Sequence, residues 1–242
     1  MSRFACLILA GLFLVSCQST HTYKPSTRNA GKIGQIYSST LRVGAVRTPL
    51  PAGRWELVSW REPRASNNTI IHYVVLAKNN GKHVNELLRI RANESSSPQG
   101  WAASRDCQRN HDFHHMEVES YASGAGGEGL CWGVAQSVWS QTFKGAAEQY
   151  RQDLANWTTS KGLRKFNYGI GQNFYAARFN FISMSYIKNP VAIGFPDHPS
   201  SNWVSHPWSK ANIRPGSPEY QYVQARIKEA TRWWPTFKTA RY

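Results

Sequence analysis

A pair of strands joined by a tight turn is the strongest structural constraint in this sequence. Residues 69–78 are β-branched and largely apolar, and the strand pattern resumes over residues 82–91. Asn79-Asn80-Gly81 lies between them. An Asn-Gly pair between two such runs favours a hairpin, because both central residues of the turn must accept positive φ. The sequence therefore predicts a fold built around an antiparallel sheet.

Further runs in the first three quarters of the chain have the composition of strands. They cover residues 42–46, 55–60, 113–121, 130–138 and 174–187. The last of these is interpreted as one long strand. Pro49 to Gly53 is a turn, because prolines and a glycine break the pattern there.

Two segments have the period of amphipathic helices. The first has an apolar stripe at Phe143, Ala146, Ala147, Tyr150, Leu154 and Trp157. The second begins at a Ser217 cap followed by Pro218, and Pro235 is expected to end or kink it. Strands first and helices after predict an α+β domain: an antiparallel β-sheet with two main helices packed on one face and one disulfide. An all-β barrel with added helices is the alternative.

The amino terminus has the pattern of an export signal. Arg3 gives a basic start, and the apolar run from Ala5 to Val15 ends in small residues. This run is too short to cross a membrane, which takes about 20 apolar residues. Residues 1–16 are therefore predicted to be a leader, residues 17–40 a flexible polar tether, and residues 41–242 a single domain.

The end of that run, Leu14-Val15-Ser16-Cys17, resembles the lipobox of bacterial lipoproteins at all four positions. In that family the cysteine thiol receives a diacylglyceryl group, the leader is cut before it, and the new amino terminus is usually acylated. The resemblance implies a mature chain that starts at Cys17, with more than one acyl chain for stable anchoring. Asp after the cysteine favours inner-membrane retention in Gram-negative lipoproteins, so Gln18 implies the outer membrane, facing the periplasm or the surface. An ordinary secretory signal cut near Ser16 is the alternative.

The cysteine count predicts one disulfide. Of the 4 cysteines, Cys6 leaves with the leader and Cys17 takes the lipid, so Cys107 and Cys131 remain. Two such thiols in an oxidising compartment favour a bridge between them. Cys131 followed by Trp132 is superficially similar to the Cys-Trp pair of papain-like proteases, but the rest of that signature is absent from the sequence. A reactive thiol also needs an activating cation nearby.

Charge indicates anionic partners. The chain has 29 Lys and Arg against 14 Asp and Glu, and its formal charge of +15 becomes +14 when Arg3 is removed. In the cytosol this surplus would suggest nucleic acid, which is not expected for an exported chain. Outside, a basic surface attracts anionic lipid, lipopolysaccharide or wall glycan within about one Debye length. The expected partners are these, another envelope protein, and the membrane through the lipid. Scattered basic residues equally fit a role in solubility.

The densest group of titratable side chains runs from His111 to Glu119. If this run forms a strand, His115, Glu117 and Glu119 share one face and His114 lies on the other. Such a face can bind a divalent metal, but the run has none of the usual zinc spacings. A solvated face with His–Glu pairs is therefore expected, with no cofactor. A metal site formed by His111, His115, Glu117 and Glu119 is the alternative.

A proline-rich loop over residues 189–215 holds the second candidate site. Its side chains with binding chemistry are Asp197, His198, Trp203, His206 and Trp208. The two tryptophans could stack on a sugar while the polar groups form hydrogen bonds. More often such tryptophans pack on the core while the histidines and serines bond to the backbone. A Ser-His-Asp hydrolase is the weakest interpretation, since the chain lacks Gly-x-Ser-x-Gly.

Three short motifs are similar to a class of exported bacterial proteins whose activity is uncharacterised. They are Pro-Leu-Pro-x-Gly-x-Trp at 49–55, Cys131-Trp132, and Asn189-Pro190 followed by Trp203 and Trp208. The resemblance implies a shared fold over most of the mature chain and no activity. The sequence thus predicts a lipid-anchored extracytoplasmic module that binds an envelope component without catalysis. A hydrolase or metal-dependent enzyme using residues 111–119 or 197–206 is the alternative.

Overall fold

The computed structural model describes residues 31–65, 68–101, 105–108, 113–122, 127–138, 146–164, 168–198 and 204–241. Over these ranges the chain forms one eight-stranded antiparallel sheet, one two-stranded hairpin and two α-helices. The predicted α+β class is confirmed at this level. Cys17 and the leader, His111 and Trp203 lie outside the described residues.

The strands and helices follow the chain in a simple order. The strands are β1 (Ile36–Tyr37), β2 (Thr40–Val43), β3 (Val46–Pro49), β4 (Trp55–Arg61), β5 (Ile71–Asn79), β6 (Val84–Asn93), β7 (Phe113–Tyr121), β8 (Gly129–Val138), β9 (Tyr168–Ala177) and β10 (Phe181–Lys188). The helices are α1 (Ala146–Ser160) and α2 (Pro218–Lys238). In the large sheet the order is β1-β4-β5-β6-β10-β9-β8-β7. Two meanders therefore meet where β6 pairs with β10.

The predicted hairpin between β5 and β6 is confirmed. The strands pair antiparallel with Val74 opposite Ile90, and Gly81 has a φ of 82°. The Asn80 side chain accepts hydrogen bonds from the backbone N–H groups of Lys82 and His83. The turn is thus held by the residues that predicted it.

Three boundaries differ from the sequence prediction. Residues 174–187 are not one strand, because β9 ends at Ala177 and β10 begins at Phe181. The turn between β9 and β10 contains no glycine or proline, so the sequence gives no signal from which this break could be predicted. Strand β1 pairs with β4, so the sheet begins inside the range 17–40 that was predicted to be a tether. Helix α2 continues past Pro235 to Lys238, so this proline does not end the helix, which was one of the two effects expected of it.

One face of the large sheet, which we call the α2 face, carries Val74, Leu88, Phe174 and Met184. These side chains belong to one buried cluster with Ala230, Trp234 and Phe237 of α2. The Phe174 ring centroid lies 4.8 Å from that of Trp233 and 5.2 Å from that of Phe237. Contacts between aromatic rings therefore dominate the junction of α2 with the sheet.

The opposite face, which we call the arginine face, carries Arg89, Arg91, Asn173, Ser183 and Ser185 at its centre, as strand register requires. At one end of this face a smaller buried cluster joins the sheet to α1. Its members are Val58, Val75, Ala77, Val84, Leu87, Ile187, Tyr150, Leu154, Trp157 and Leu163.

The two helices thus lie on opposite faces, which differs from the expectation that both pack on one. The reason lies in β5, where Val74, Val75, Leu76 and Ala77 are all buried. A strand that is apolar on both sides needs a cover on each side.

The other end of the arginine face is closed by the disulfide segment. The sulfur atoms of Cys107 and Cys131 lie at bonding distance, and their Cα atoms are 5.7 Å apart. Both cysteines are buried in a third cluster with Ile71, Tyr175 and Phe181. The pairing therefore agrees with the predicted bridge and places it beside β9 and β10.

Candidate binding site

A pocket of about 480 Å³ opens on the arginine face next to the disulfide cluster. Its size is in the range of about 300–1,000 Å³ that is usual for ligand sites. It is lined by Pro63, Arg64, Ala65, Ile71, Tyr73, Arg91, Trp101, Tyr175, Phe181 and Ser183. The lining therefore combines aromatic rings with two guanidinium groups and a hydroxyl.

Aromatic rings form one wall of the pocket. The Phe181 ring centroid lies 4.6 Å from that of Trp101 in an edge-on arrangement, and 6.5 Å from that of Tyr175 in a stacked one. Phe181 and Tyr175 are buried in the same cluster as the paired cysteines. The disulfide segment therefore supports this wall from behind.

Arg91 lies at the rim of the pocket and covers a tyrosine. Strand register places Arg91 directly between Tyr73 on β5 and Ser183 on β10, and its guanidinium carbon is 5.0 Å from the Tyr73 ring centroid. This is a cation–π geometry. Arg91 is exposed, and no carboxylate within the described part of the chain forms an ion pair with it.

Arg64 also lines the pocket and is held by Asn68. Its guanidinium donates to the backbone oxygen and to the Oδ1 of Asn68, each at 3.0 Å. The adjacent carboxylate, Glu62, is 9% exposed and turns to the α2 face, where its Oε1 is 3.4 Å from His72 Nδ1. Arg64 thus brings a second guanidinium group to the pocket lining.

Trp101 brings an unused donor to the pocket wall. Its Nε1 is buried and has no hydrogen-bond partner. A buried donor without an acceptor costs about 1–3 kcal/mol. An oxygen atom of a ligand could remove this cost, which gives the pocket a polar contact within its aromatic wall.

In the first candidate cluster, residues 111–119, the carboxylates accept hydrogen bonds from buried tryptophans of the fold. His115, Glu117 and Glu119 share the α2 face, as predicted from strand period. His115 Nε2 is 3.1 Å from Glu117 Oε1, while Trp132 Nε1 donates to Glu117 Oε2 at 3.0 Å. Trp234 Nε1 donates to Glu119. Among the described residues, no group of three or more His, Cys, Asp or Glu side chains is arranged to hold a metal ion, and His111 lies outside them.

Two of the predicted loop residues are core residues. His206 and Trp208 are each 1% exposed, and the Trp208 ring packs 5.0 Å from the Phe195 ring. His206 Nδ1 accepts the Trp208 backbone N–H at 3.2 Å, and burial lowers the pKa of His206. Both residues thus follow the interpretation in which the tryptophans of this loop pack on the core and its histidines bond to the backbone. Asp197 is exposed, His198 is half-buried, and Trp203 lies outside the described residues.

The pocket residues themselves were missed by the sequence analysis. They come from β5, β6, β9, β10 and two connecting segments, so no stretch of sequence contains the site. The one usable signal was the alternation in β6, where Leu88 and Ile90 are buried while Arg89 and Arg91 point to the other face. An arginine pair on one side of a central strand is unusual, since charged residues are seldom buried there.

No family model, no curated protein and no solved structure matches this chain. No helix within the described ranges is long and apolar enough to cross a membrane.

Proposed function

We propose that this protein is a lipid-anchored extracytoplasmic module that binds an anionic or glycan component of the envelope at the pocket on its arginine face. The observation that carries the proposal is the Arg91 guanidinium, which is stacked on Tyr73 in the lining of an aromatic pocket and has no carboxylate partner among the described residues.

The guanidinium groups favour an anionic ligand. Arg presents a planar fork of N–H donors that fits carboxylate and phosphate oxygens in pairs. The charge of the whole chain, +15 before removal of the leader, adds a long-range attraction that is screened by salt. An anion at Arg91 would supply acceptors for its N–H donors.

The ring faces and polar atoms favour a sugar within that class. Tyr73 and Trp101 line the pocket, and aromatic side chains with a polar edge suit ligands that are apolar on one side and hydroxylated on the other. The Ser183 hydroxyl and the unpartnered Trp101 Nε1 match the hydroxyl groups of a saccharide. The described lining contains no carboxylate, imidazole or thiol that could serve as acid, base or nucleophile, so binding fits it better than hydrolysis.

Binding is tested by titrating the purified protein with an acidic polysaccharide and with a neutral one of the same length. We expect the acidic polymer to bind more tightly and Arg91→Gln to weaken it tenfold or more, as loss of a charge-assisted hydrogen bond does. Arg232→Gln is the matched control, because Arg232 is exposed on α2 on the other side of the sheet. Equal binding by both variants would remove the pocket from the proposal.

The membrane anchor is tested separately. Wild-type protein should incorporate labelled palmitate and sediment with membranes, and Cys17→Ser should lose both properties because the thiol is the acceptor of the lipid. A Cys17→Ser protein that stays equally membrane-bound would contradict the anchor while leaving the binding site untouched.

A further inference from the structure

We infer that the ligand of this site is an acidic polysaccharide chain, with one acidic group at Arg91 in the pocket and a second at Arg89 beside it. This inference rests on the proposed function, and it extends the site from a pocket to a trough. The trough is defined by Arg89, Arg91, Asn173, Ser183 and Ser185.

The arginine face is concave at this point. In the sheet order β6-β10-β9-β8, Arg89 and Ser137 lie three strands apart, which is about 14 Å in a flat sheet. Arg89 Nη2 nevertheless lies 3.5 Å from Ser137 Oγ. An arginine side chain cannot span that width, so the sheet must curve toward this face and form a trough.

The N–H donors of the Arg89 guanidinium find few acceptors among the described residues. Its contact with Ser137 is at the limit of hydrogen-bond distance, and its Nε is buried without a partner. An unsatisfied charged donor is costly where water is excluded. Arg89 therefore resembles Arg91, in that both guanidinium groups have donors left for a ligand.

Carboxylates packed at this face are already used by other cations. Asp153 of α1 pairs with Arg61 at 2.7 Å, and Glu56 of β4 pairs with Lys161 at 2.9 Å. Within the described ranges no carboxylate forms an ion pair with Arg89 or Arg91. The two arginines lie two residues apart on one strand, about 7 Å along it, so they repel each other until an anionic ligand binds.

The floor between the arginines and β9 is polar. Ser183 and Ser185 of β10 lie beside Arg91 and Arg89, respectively, and Ser185 Oγ donates to Asn173 Oδ1 at 2.7 Å. The amide N–H₂ of Asn173 and the Ser183 hydroxyl can pair with sugar hydroxyls. A single anionic group would occupy one arginine only, whereas a chain with acidic groups on successive units can reach both.

The test uses full-length protein in detergent, with galacturonic acid as the monomer and as oligomers of four and six units. We expect the hexamer to bind at least tenfold more tightly than the monomer, which carries a single carboxylate. Arg89→Gln should abolish this gain, whereas Arg91→Gln should weaken binding at every length. For the hexamer, Arg89→Gln should also reduce the slope of log affinity against log salt by about one.

Three controls separate the outcomes. Arg89→Lys should keep part of the gain because it keeps the charge, Arg232→Gln should keep all of it, and thermal unfolding of each variant checks that the fold is intact. If monomer and hexamer bind equally and Arg89→Gln changes neither affinity, the chain inference is overturned while the proposed pocket stands. If neither binds, the chain inference is overturned, and the proposed pocket fails as well when Arg91→Gln leaves binding of the acidic polysaccharide unchanged. Tighter, Arg89-dependent binding of single-stranded DNA or of phosphatidylglycerol vesicles would overturn the assignment to a polysaccharide.

Discussion

The two faces of the large sheet are built from the same strands but have opposite character. On β6, Leu88, Ile90 and Ala92 are fully buried beneath the α2 face, while Arg89 and Arg91 alternate with them on the arginine face. Leu87 is the last apolar residue on that second side, and it packs in the α1 cluster. Strand β6 is thus apolar on both sides at Leu87 and Leu88 and alternates between apolar and charged residues after them. This change marks where helix α1 stops covering the sheet.

The helices are also attached differently. The α2 helix meets the sheet through large rings, including Trp234 and Phe237. The α1 helix has a smaller apolar cluster and adds polar contacts, since Trp157 Nε1 donates to Glu56 at 2.9 Å and Asp153 accepts from Arg61. The α2 face is thus covered mainly by apolar rings, whereas the centre of the arginine face keeps polar and charged side chains that can form a site.

The largest expected effect is on the α2 face. Trp132→Ala removes a side chain that is 1% exposed and should lower the free energy of unfolding by about 3–5 kcal/mol, the usual cost of emptying a core site of this size. Urea unfolding measures it. Phe179→Ala, at a side chain that is 50% exposed, should change it by less than about 0.5 kcal/mol. Similar losses in the two variants would show that burial of Trp132 beneath α2 does not set the cost.

Removing the disulfide should lower the free energy of unfolding by somewhat less than Trp132→Ala does. Cys107 and Cys131 are separated by 24 residues, and closing a loop of that length is worth about 3–4 kcal/mol in the chain-entropy model. Replacing both cysteines with alanine should produce this loss, and a reducing agent should mimic it in the wild type. Affinity at the pocket should fall as well, because the bridge supports Tyr175 and Phe181. An unchanged unfolding midpoint would show that the bridge does not form.

Low pH should lower the free energy of unfolding through His114, which lies on the edge strand β7. Burial lowers the pKa of His114 from 6.5 to about 4, so between these pH values the unfolded chain binds a proton that the folded protein does not. The free energy of unfolding should therefore fall by roughly 2 kcal/mol as the pH drops from 7 to 4. His114→Gln should flatten this slope by one proton and leave the salt dependence of binding unchanged. A slope equal to that of the wild type would exclude His114 as its source.

The smallest effect is expected where α1 meets the arginine face. The Arg61 side chain is 41% exposed and that of Asp153 is 23% exposed, so solvent screens their ion pair and its contribution should be below about 1 kcal/mol. A double-mutant cycle with Arg61→Gln and Asp153→Asn measures this coupling. A coupling of several kcal/mol would mean that polar contacts stabilise the packing of α1 on the sheet as much as aromatic contacts stabilise that of α2.

Local chemistry made several elements predictable. The Asn79-Asn80-Gly81 turn, the strand 113–121 and the Ser217 cap, whose Oγ accepts the Tyr220 N–H at 3.1 Å, follow from interactions within a few residues. The break after Ala177 was not predictable, because no turn-forming glycine or proline marks it.

Residue spacing and residue counts were enough to predict the α+β class, the hairpin between β5 and β6, and the cysteine pair. They also predicted the period that puts His115, Glu117 and Glu119 on one face. The pocket, by contrast, depends on which strands pair. Pairing of β6 with β10 brings Arg91 next to Ser183, and sheet curvature brings Arg89 to Ser137. Such contacts join residues far apart in the chain, and periodicity carries no information about which distant strands become neighbours.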